Sequence, residues 1–233
     1  VPDLASGLIY YLVFLFSTTF HEAAHAWAAK RGGDLTAYLG GQVSLDPRPH
    51  IRREPFGMVV LPLISVVLSG WPFGFASAPF DPRWAMRHPR RAALMALAGP
   101  AANLLIVLIA LTAIRIGVAA DLFHAPSSVR FGQITAATGG GLWPGLAFLL
   151  SVLFCLNLVL AALNLIPVPP LDGSAAVPLL LSRSASERYQ GFLFGQPVLA
   201  WVGLLVAWRL FDVIINPIFL FVVNLVYPGV RYG

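Results

Sequence analysis

The stretch "FSTTFHEAAHAW", residues 16–27, sets His21, Glu22 and His25 in an otherwise apolar run. The chain holds only five histidines and three glutamates, so their gathering here asks for a chemical reason. Two histidines four apart project from one face of a helix, where they can grip one metal ion. Glu22 is turned by about 100° from His21, near such an ion but not required as a ligand. Two neutral imidazoles holding Zn²⁺, with a carboxylate that takes a proton from water, form an arrangement suited to hydrolysis. The plainer alternative is a histidine pair in a polar helix–helix contact. Against it stands the cost of an unpaired carboxylate in a membrane helix.

A catalytic zinc site keeps one position open and needs a third protein ligand. Acidic residues are few. Asp3, Asp34, Asp46, Asp81 and Asp121 fall in predicted loops or termini, and Asp212 has Arg209 three residues earlier as a partner. Glu54 and Glu187 sit among basic loop residues. Asp172 differs, because "NLIPVPPLDGS" (164–174) closes a long apolar run with prolines and then an Asp-Gly pair. Prolines remove backbone donors and stop a helix, and Asp-Gly favours a turn. An ordinary helix stop with a turn aspartate is the competing reading.

The elements that must bring these residues together belong to a membrane protein. Hydrophobic residues make up 58% of the chain and charged ones 11%, with mean hydropathy +0.79, where a soluble domain carries about a quarter charged. The expected fold is an all-α integral membrane protein, a polytopic helical bundle forming one domain over 1–233. Its parts are helix 7–30, a re-entrant hairpin over 56–80, helix 91–119, helix 143–166 and a C-terminal helical region over 192–228. Helices of about 20 apolar residues span a hydrocarbon core of about 30 Å. The helical part of 56–80, "FGMVVLPLISVVLSG", is short for a span, and the Pro- and Gly-rich "WPFGFASAPFDP" follows it. A re-entrant hairpin with an extended return fits, provided protein shields its backbone; a thin pair of spans is the alternative. Region 35–45, "LTAYLGGQVSL", reads as a short membrane-associated β-hairpin. Pro217 is expected to kink or break the last run, 197–227. The first run reads as a span and not a cleaved leader, since no basic region precedes it. Cys155, the single cysteine, reads as a packing residue.

Charge sets direction. Lys30, Arg31, Arg48, Arg52 and Arg53 follow the first run, Arg83, Arg87, Arg90 and Arg91 precede the third, and Arg183 and Arg188 follow the fourth. The connection 121–141 holds only Arg130. The positive-inside rule makes the former regions cytoplasmic and 121–141 external. A topology signal or contact with anionic lipid explains the net charge of +5 without nucleic acid. Helices 7–30 and 143–166 then run inward and 91–119 outward. His21 lies about 13 Å from Lys30 along the helix at 1.5 Å per residue, in the cytoplasmic half of the bilayer, and Asp172 follows a helix ending in that same half. The two can meet, which leaves Asp172 as the best third ligand. "LAGPAAN" (97–103) lies at a similar depth, with Gly99 expected in a packing seam and Asn103 either packing or donating a hydrogen bond to substrate or ligand.

Together "HEAAH" (21–25), its continuation "AWAAKRGGDLTAYLGGQVSLDPRPHI" (26–51), "PFGFASAPFDP" (72–82), "LAGPAAN" (97–103) and "NLIPVPPLDG" (164–173) resemble the site-2 protease family of intramembrane zinc metalloproteases. The likeness is to its compact subgroup lacking a PDZ domain. It implies His21, His25 and Asp172 as ligands of one zinc per chain, Glu22 as general base, and Asn164 as the amide that holds the scissile carbonyl or its oxyanion. Two departures stand out: the arginines of "HIRREPFG" (50–57), and Ser174 where a second glycine is common. His50 is expected at the surface, and His88 and His124 in loops. The expected activity is endoproteolysis of transmembrane segments by a multi-pass protein of a lipid bilayer (the cell membrane if prokaryotic), its partners being transmembrane-helix substrates and no nucleic acid. A proteolytically silent zinc-binding scaffold is one alternative. A transporter is another, though it would be expected to show repeated halves, and none is visible.

Overall fold

The computed structural model describes residues 4–196 and 198–233. Asp3, and Pro197 at the start of the last predicted run, lie outside them. The elements run α1 (Leu4–Gly32), α2 (Thr36–Leu39), α3 (Pro47–Arg53), a π-helical turn (Phe56–Val60) continuing into α4 (Leu61–Ser69), α5 (Pro82–Arg87), α6 (Pro89–Ala119), β1 (Phe123–His124), β2 (Ala136–Ala137), α7 (Trp143–Asn164), α8 (Asp172–Ala176), a 3₁₀ turn (Val177–Leu180), α9 (Arg183–Gly195) and α10 (Val198–Val226). The architecture is all-α. Three helices, α6, α7 and α10, are long and apolar enough to cross a membrane. Helix α1 is as long as α10, but the His-Glu-His cluster dilutes its C-terminal half.

Local chemistry sets the element starts. Asp46 and Asp81 cap α3 and α5 by accepting from the Arg48 and Arg83 amides, each followed by a proline suited to the first helical position. Gly70, left-handed at φ +76°, ends α4. The carbonyl of Gly32, at the end of α1, accepts from Trp84 Nε1 and Arg91 Nη1, which docks α1 against α5 and the start of α6.

Helices α1, α6 and α7 form the central layer. His21 meets Asn103 while His25 meets Met95, so α1 and α6 run antiparallel. Tyr10 packs on Phe148 and Ser17 meets Asn157, so α1 and α7 run parallel. Lipid gives apolar side chains little reason to leave it, so close backbone approach supplies the packing. The buried stripe Ala93, Ala96, Gly99, Ala102 and Ala110 on α6 allows that approach, with Ala26 and Ala29 fully buried on α1. Apolar clusters flank the polar centre, one around Phe154, Cys155, Phe219 and Ile114, and another around Phe14, Val152 and Leu156.

Three expectations need correction. Region 35–45 is no β-hairpin: the Asp34 carboxylate accepts from the Thr36 amide and hydroxyl and starts the helical turn α2, which closes at Gly41, left-handed at φ +75°. The strand pair among the described residues joins Phe123–His124 to Ala136–Ala137 instead. Pro217 does not break α10, which runs continuously through it with Ile215, Phe219 and Val223 buried; one missing donor is tolerated in such helices. Arg209 and Asp212 are both exposed and form no ion pair among the described residues. After α4 the chain returns without regular structure over 73–81, held by the Phe75 amide on the Gly57 carbonyl and the Phe73 amide on Ser65 Oγ.

Candidate metal centre

Helix α1 carries His21, Glu22 and His25 into the interior, each no more than 6% exposed. Their neighbours fix which ring nitrogen is free. His21 Nδ1–H donates to Asn103 Oδ1 on α6, and His25 Nδ1–H donates to the Met95 carbonyl at 2.8 Å. Both Nε2 atoms therefore present lone pairs, 2.9 Å apart. The Asp172 carboxylate completes a triangle, its Oδ2 standing 3.1 Å from His21 Nε2 and 3.3 Å from His25 Nε2.

Asp172 reaches this point because the chain folds back after α7. The Ile166, Val168 and Leu171 amides donate to the carbonyls of Leu163, Ile166 and Val168, and α8 then opens at Asp172 itself. Gly173 is needed here, because a Cβ would collide with the Leu165 and Ile166 carbonyls. Tyr189 of α9 donates to the Ser174 carbonyl at 2.9 Å and steadies α8 from the far side.

Two features lay beyond sequence reasoning. A Cβ on Gly99 would press against both histidine Nε2 atoms, so this glycine is more than a packing seam: its missing side chain keeps the space in front of the donors open. Asn103 does more than pack. It accepts from His21, its own amide donates to Asn157 Oδ1 at 2.8 Å, and Asn157 Nδ2 donates to Ser17 Oγ at 2.9 Å. These three residues are fully buried and join α6, α7 and α1 in one chain ending on His21. The only sequence signal for Asn157 was an amide in mid-run of an apolar helix.

The remaining candidates fall as follows. Glu22 sets a carboxylate oxygen within 4.8 Å of the histidine nitrogens, and its Oε2 is buried with no hydrogen-bond partner. Asn164 ends α7 half-buried, its amide donating to the Leu160 carbonyl. No hydrogen bond ties it to the triangle among the described residues. His50, expected at the surface, is 1% exposed; its Nε2 donates to the Ser44 carbonyl, and it belongs to α3 and not to the cluster.

The donor set suits zinc. Zn²⁺ takes nitrogen and oxygen ligands at about 2.0–2.2 Å, and tetrahedral geometry then separates its ligand atoms by roughly 3.3 Å. The observed 2.9–3.3 Å separations are close to that value, and the Gly99 face supplies the room. Both histidines carry the carbonyl or amide-oxygen acceptors on Nδ1 that orient metal-binding imidazoles.

Comparison with known proteins gives a consistent picture. A family profile described as Peptidase family M50 matches residues 9–204. "Putative zinc metalloprotease YwhC" of Bacillus subtilis is 31% identical over 215 residues, covering 88% of each chain. "Putative zinc metalloprotease Rip2" of Mycobacterium tuberculosis is 34% identical over 181 residues, 76% of this chain and 60% of the relative's length. Its Mycolicibacterium smegmatis counterpart is 29% identical over 185 residues, 77% of this chain and 62% of the relative's. No solved structure gives a significant match.

Proposed function

The chain belongs to peptidase family M50, and from that premise we propose that it is a zinc-dependent intramembrane endopeptidase that cleaves transmembrane segments of membrane-protein substrates. The observation that carries this reading is the convergence of His21 Nε2, His25 Nε2 and Asp172 Oδ2 within 3.3 Å of one another, beside a buried carboxylate with a free oxygen.

In this reading His21, His25 and Asp172 hold the zinc. When bound, the ion supplies the Lewis acidity that makes water a nucleophile near neutral pH. Glu22 takes the proton of the attacking water on its free Oε2 and returns it to the departing amine. Asn164 turns its amide from the Leu160 carbonyl toward the substrate carbonyl as negative charge develops. Asn103 and the Met95 carbonyl hold the two imidazoles so that their Nε2 lone pairs stay directed inward.

A helical substrate hides its peptide bonds and must unwind locally. The return 73–81, which forms no regular structure of its own, is the edge on which an unwound segment pairs by strand addition. It is steadied at Ser77, whose carbonyl and hydroxyl accept from Arg53 Nε and whose Oγ donates to Glu54. The arginine-bearing stretch 50–57 thus anchors that edge. Proline scanning across 73–78 is expected to lower cleavage with zinc content unchanged; full activity throughout would refute the role.

The reading as a whole is tested on purified wild type and His21→Ala, His25→Ala and Asp172→Ala variants, measuring zinc per chain and cleavage of a model transmembrane substrate. Zinc and cleavage are expected to fall together in each variant. Full zinc with no cleavage of any transmembrane substrate by the wild type would favour the silent scaffold.

A further inference from the structure

A second built feature stands away from the metal centre, where α5 meets α6 and α9 crosses them. A cavity of about 350 Å³ opens there, lined by Arg87, Arg90, Arg91 and Arg183 together with His88 and Ser186. That volume lies within the ~300–1,000 Å³ typical of small-ligand sites. Four guanidinium groups from three separate elements, α5, α6 and α9, share this one space. Two have carboxylates nearby: Arg183 Nε pairs with Glu187 at 3.2 Å, and Arg87 lies 3.9 Å from Asp81. Arg90 and Arg91 have none among the described residues; Arg91 reaches only the Gly32 carbonyl. The wall therefore carries an excess of positive charge with no internal anion to balance it. Guanidinium forks suit phosphate oxygens better than any other side chain.

The surroundings point to a membrane source for the anion. Helix α6, one of the candidate spans, starts at the cavity, and charge bias assigns this end to the cytoplasmic face. Leu180, Phe192 and Phe194 on the adjoining 3₁₀ turn and α9 are 88%, 58% and 45% exposed. Exposed apolar side chains thus accompany the cavity's basic ones on the same stretch of chain, a composition suited to a headgroup boundary. Buried Ser186 donates to the Pro178 carbonyl, so the cavity's α9 wall is firmly fixed to the chain leading from α8.

We infer that this cavity binds a phosphate group, supplied by the headgroup of an anionic phospholipid, which bridges the start of α6 to α9. Binding neutralises Arg90 and Arg91 and ties the α8–α9 segment to α6. The inference is independent of proteolysis.

The test uses the full chain in nanodiscs of phosphatidylcholine, with or without phosphatidylglycerol, and separately with inorganic phosphate. Native mass spectrometry reads retained lipid, and thermal unfolding reads stabilisation. Wild type is expected to retain phosphatidylglycerol and unfold at higher temperature in its presence. Arg90→Gln/Arg91→Gln is expected to bind it roughly 30-fold more weakly, at about 1 kcal/mol for each basic residue near an anionic surface. Arg183→Gln, on the opposite wall, should weaken it in the same direction. The charge-matched control Arg48→Gln/Arg52→Gln removes two basic residues of the same face from outside the cavity and should lose clearly less phosphatidylglycerol than the cavity variant. If inorganic phosphate in phosphatidylcholine discs gives the same Arg90- and Arg91-dependent shift, the phosphate site stands and its source is soluble. Undiminished phosphatidylglycerol retention in both cavity variants, or an equal loss in the control, would overturn the inference.

Discussion

Replacing Asn103 by leucine probes the buried chain that aims His21. The side chain is fully buried and makes two hydrogen bonds, accepting from His21 Nδ1 and donating to Asn157 Oδ1. Leucine fills nearly the same volume but leaves both partners unsatisfied. Each orphaned buried polar group costs about 1–3 kcal/mol, so folding stability should fall by roughly 2–6 kcal/mol less whatever packing restores. The effect on metal is separate. Without its acceptor, His21 is free to move its proton to Nε2 and lose the lone pair that faces Asp172. Loss of such an orienting partner lowers metal affinity about 10–100-fold. Asn157→Leu is the matched comparison, since it breaks the chain one link further out and leaves the His21–Asn103 bond intact. It should cost similar stability but lower zinc affinity by less than about tenfold. Zinc affinity is read by chelator competition and stability by thermal unfolding in the same detergent. Equal zinc affinity in Asn103→Leu and wild type would refute the reasoning. So would losses in both variants that simply track stability.

Gly99→Ala places a methyl group against both histidine Nε2 atoms, so zinc per chain should fall sharply while helical content measured by circular dichroism is retained; a variant with full zinc would show that the Gly99 face is not needed. Asp34 joins the end of α1 to α5, accepting from Thr36 and from the Asp81 amide at 2.8 Å. Burial pushes its pKa up, but the Thr36 hydroxyl, the Thr36 amide and the Asp81 amide outweigh it and hold the carboxyl below its ordinary value. The folded pKa being the lower one, this stabilisation is complete above the unfolded value of about 3.9 and is lost as pH falls through the folded value. Asp34→Asn should therefore flatten the acid limb of stability against pH, and an unchanged limb would contradict the assignment. Gly203 lets α10 cross the Pro169 carbonyl, where a Cβ would collide; Gly203→Ala should lower stability by about 1–3 kcal/mol, measured by thermal unfolding.

What the sequence made legible was the part governed by spacing and charge. The i,i+4 histidines share a face because a helix repeats every 3.6 residues, and the arginine distribution oriented α1, α6 and α7 well enough to bring Asp172 to the same depth. Features that depend on contact between distant segments were not legible. Gly99 looked like any small residue in a membrane helix until two imidazoles from α1 lay over it. Asn157 gave no sign of the Asn103 and Ser17 partners supplied by other helices. At 35–45 the alternating pattern suggested strands, yet a helical turn forms there, with the Asp34 carboxylate accepting from the Thr36 amide and hydroxyl at its start. His50 looked like a surface residue among arginines, but α3 turns it inward.

The central claim is that His21, His25 and Asp172 hold the ion while Glu22 works on its water. Zinc content and cleavage of a transmembrane substrate, measured together on wild type and Glu22→Gln, test it most directly. The expected result is equal zinc in both proteins, with cleavage in the variant reduced by about 10²–10⁴-fold, the range for a general acid–base group. Equal cleavage in both proteins, or absence of zinc from active wild type, would contradict it.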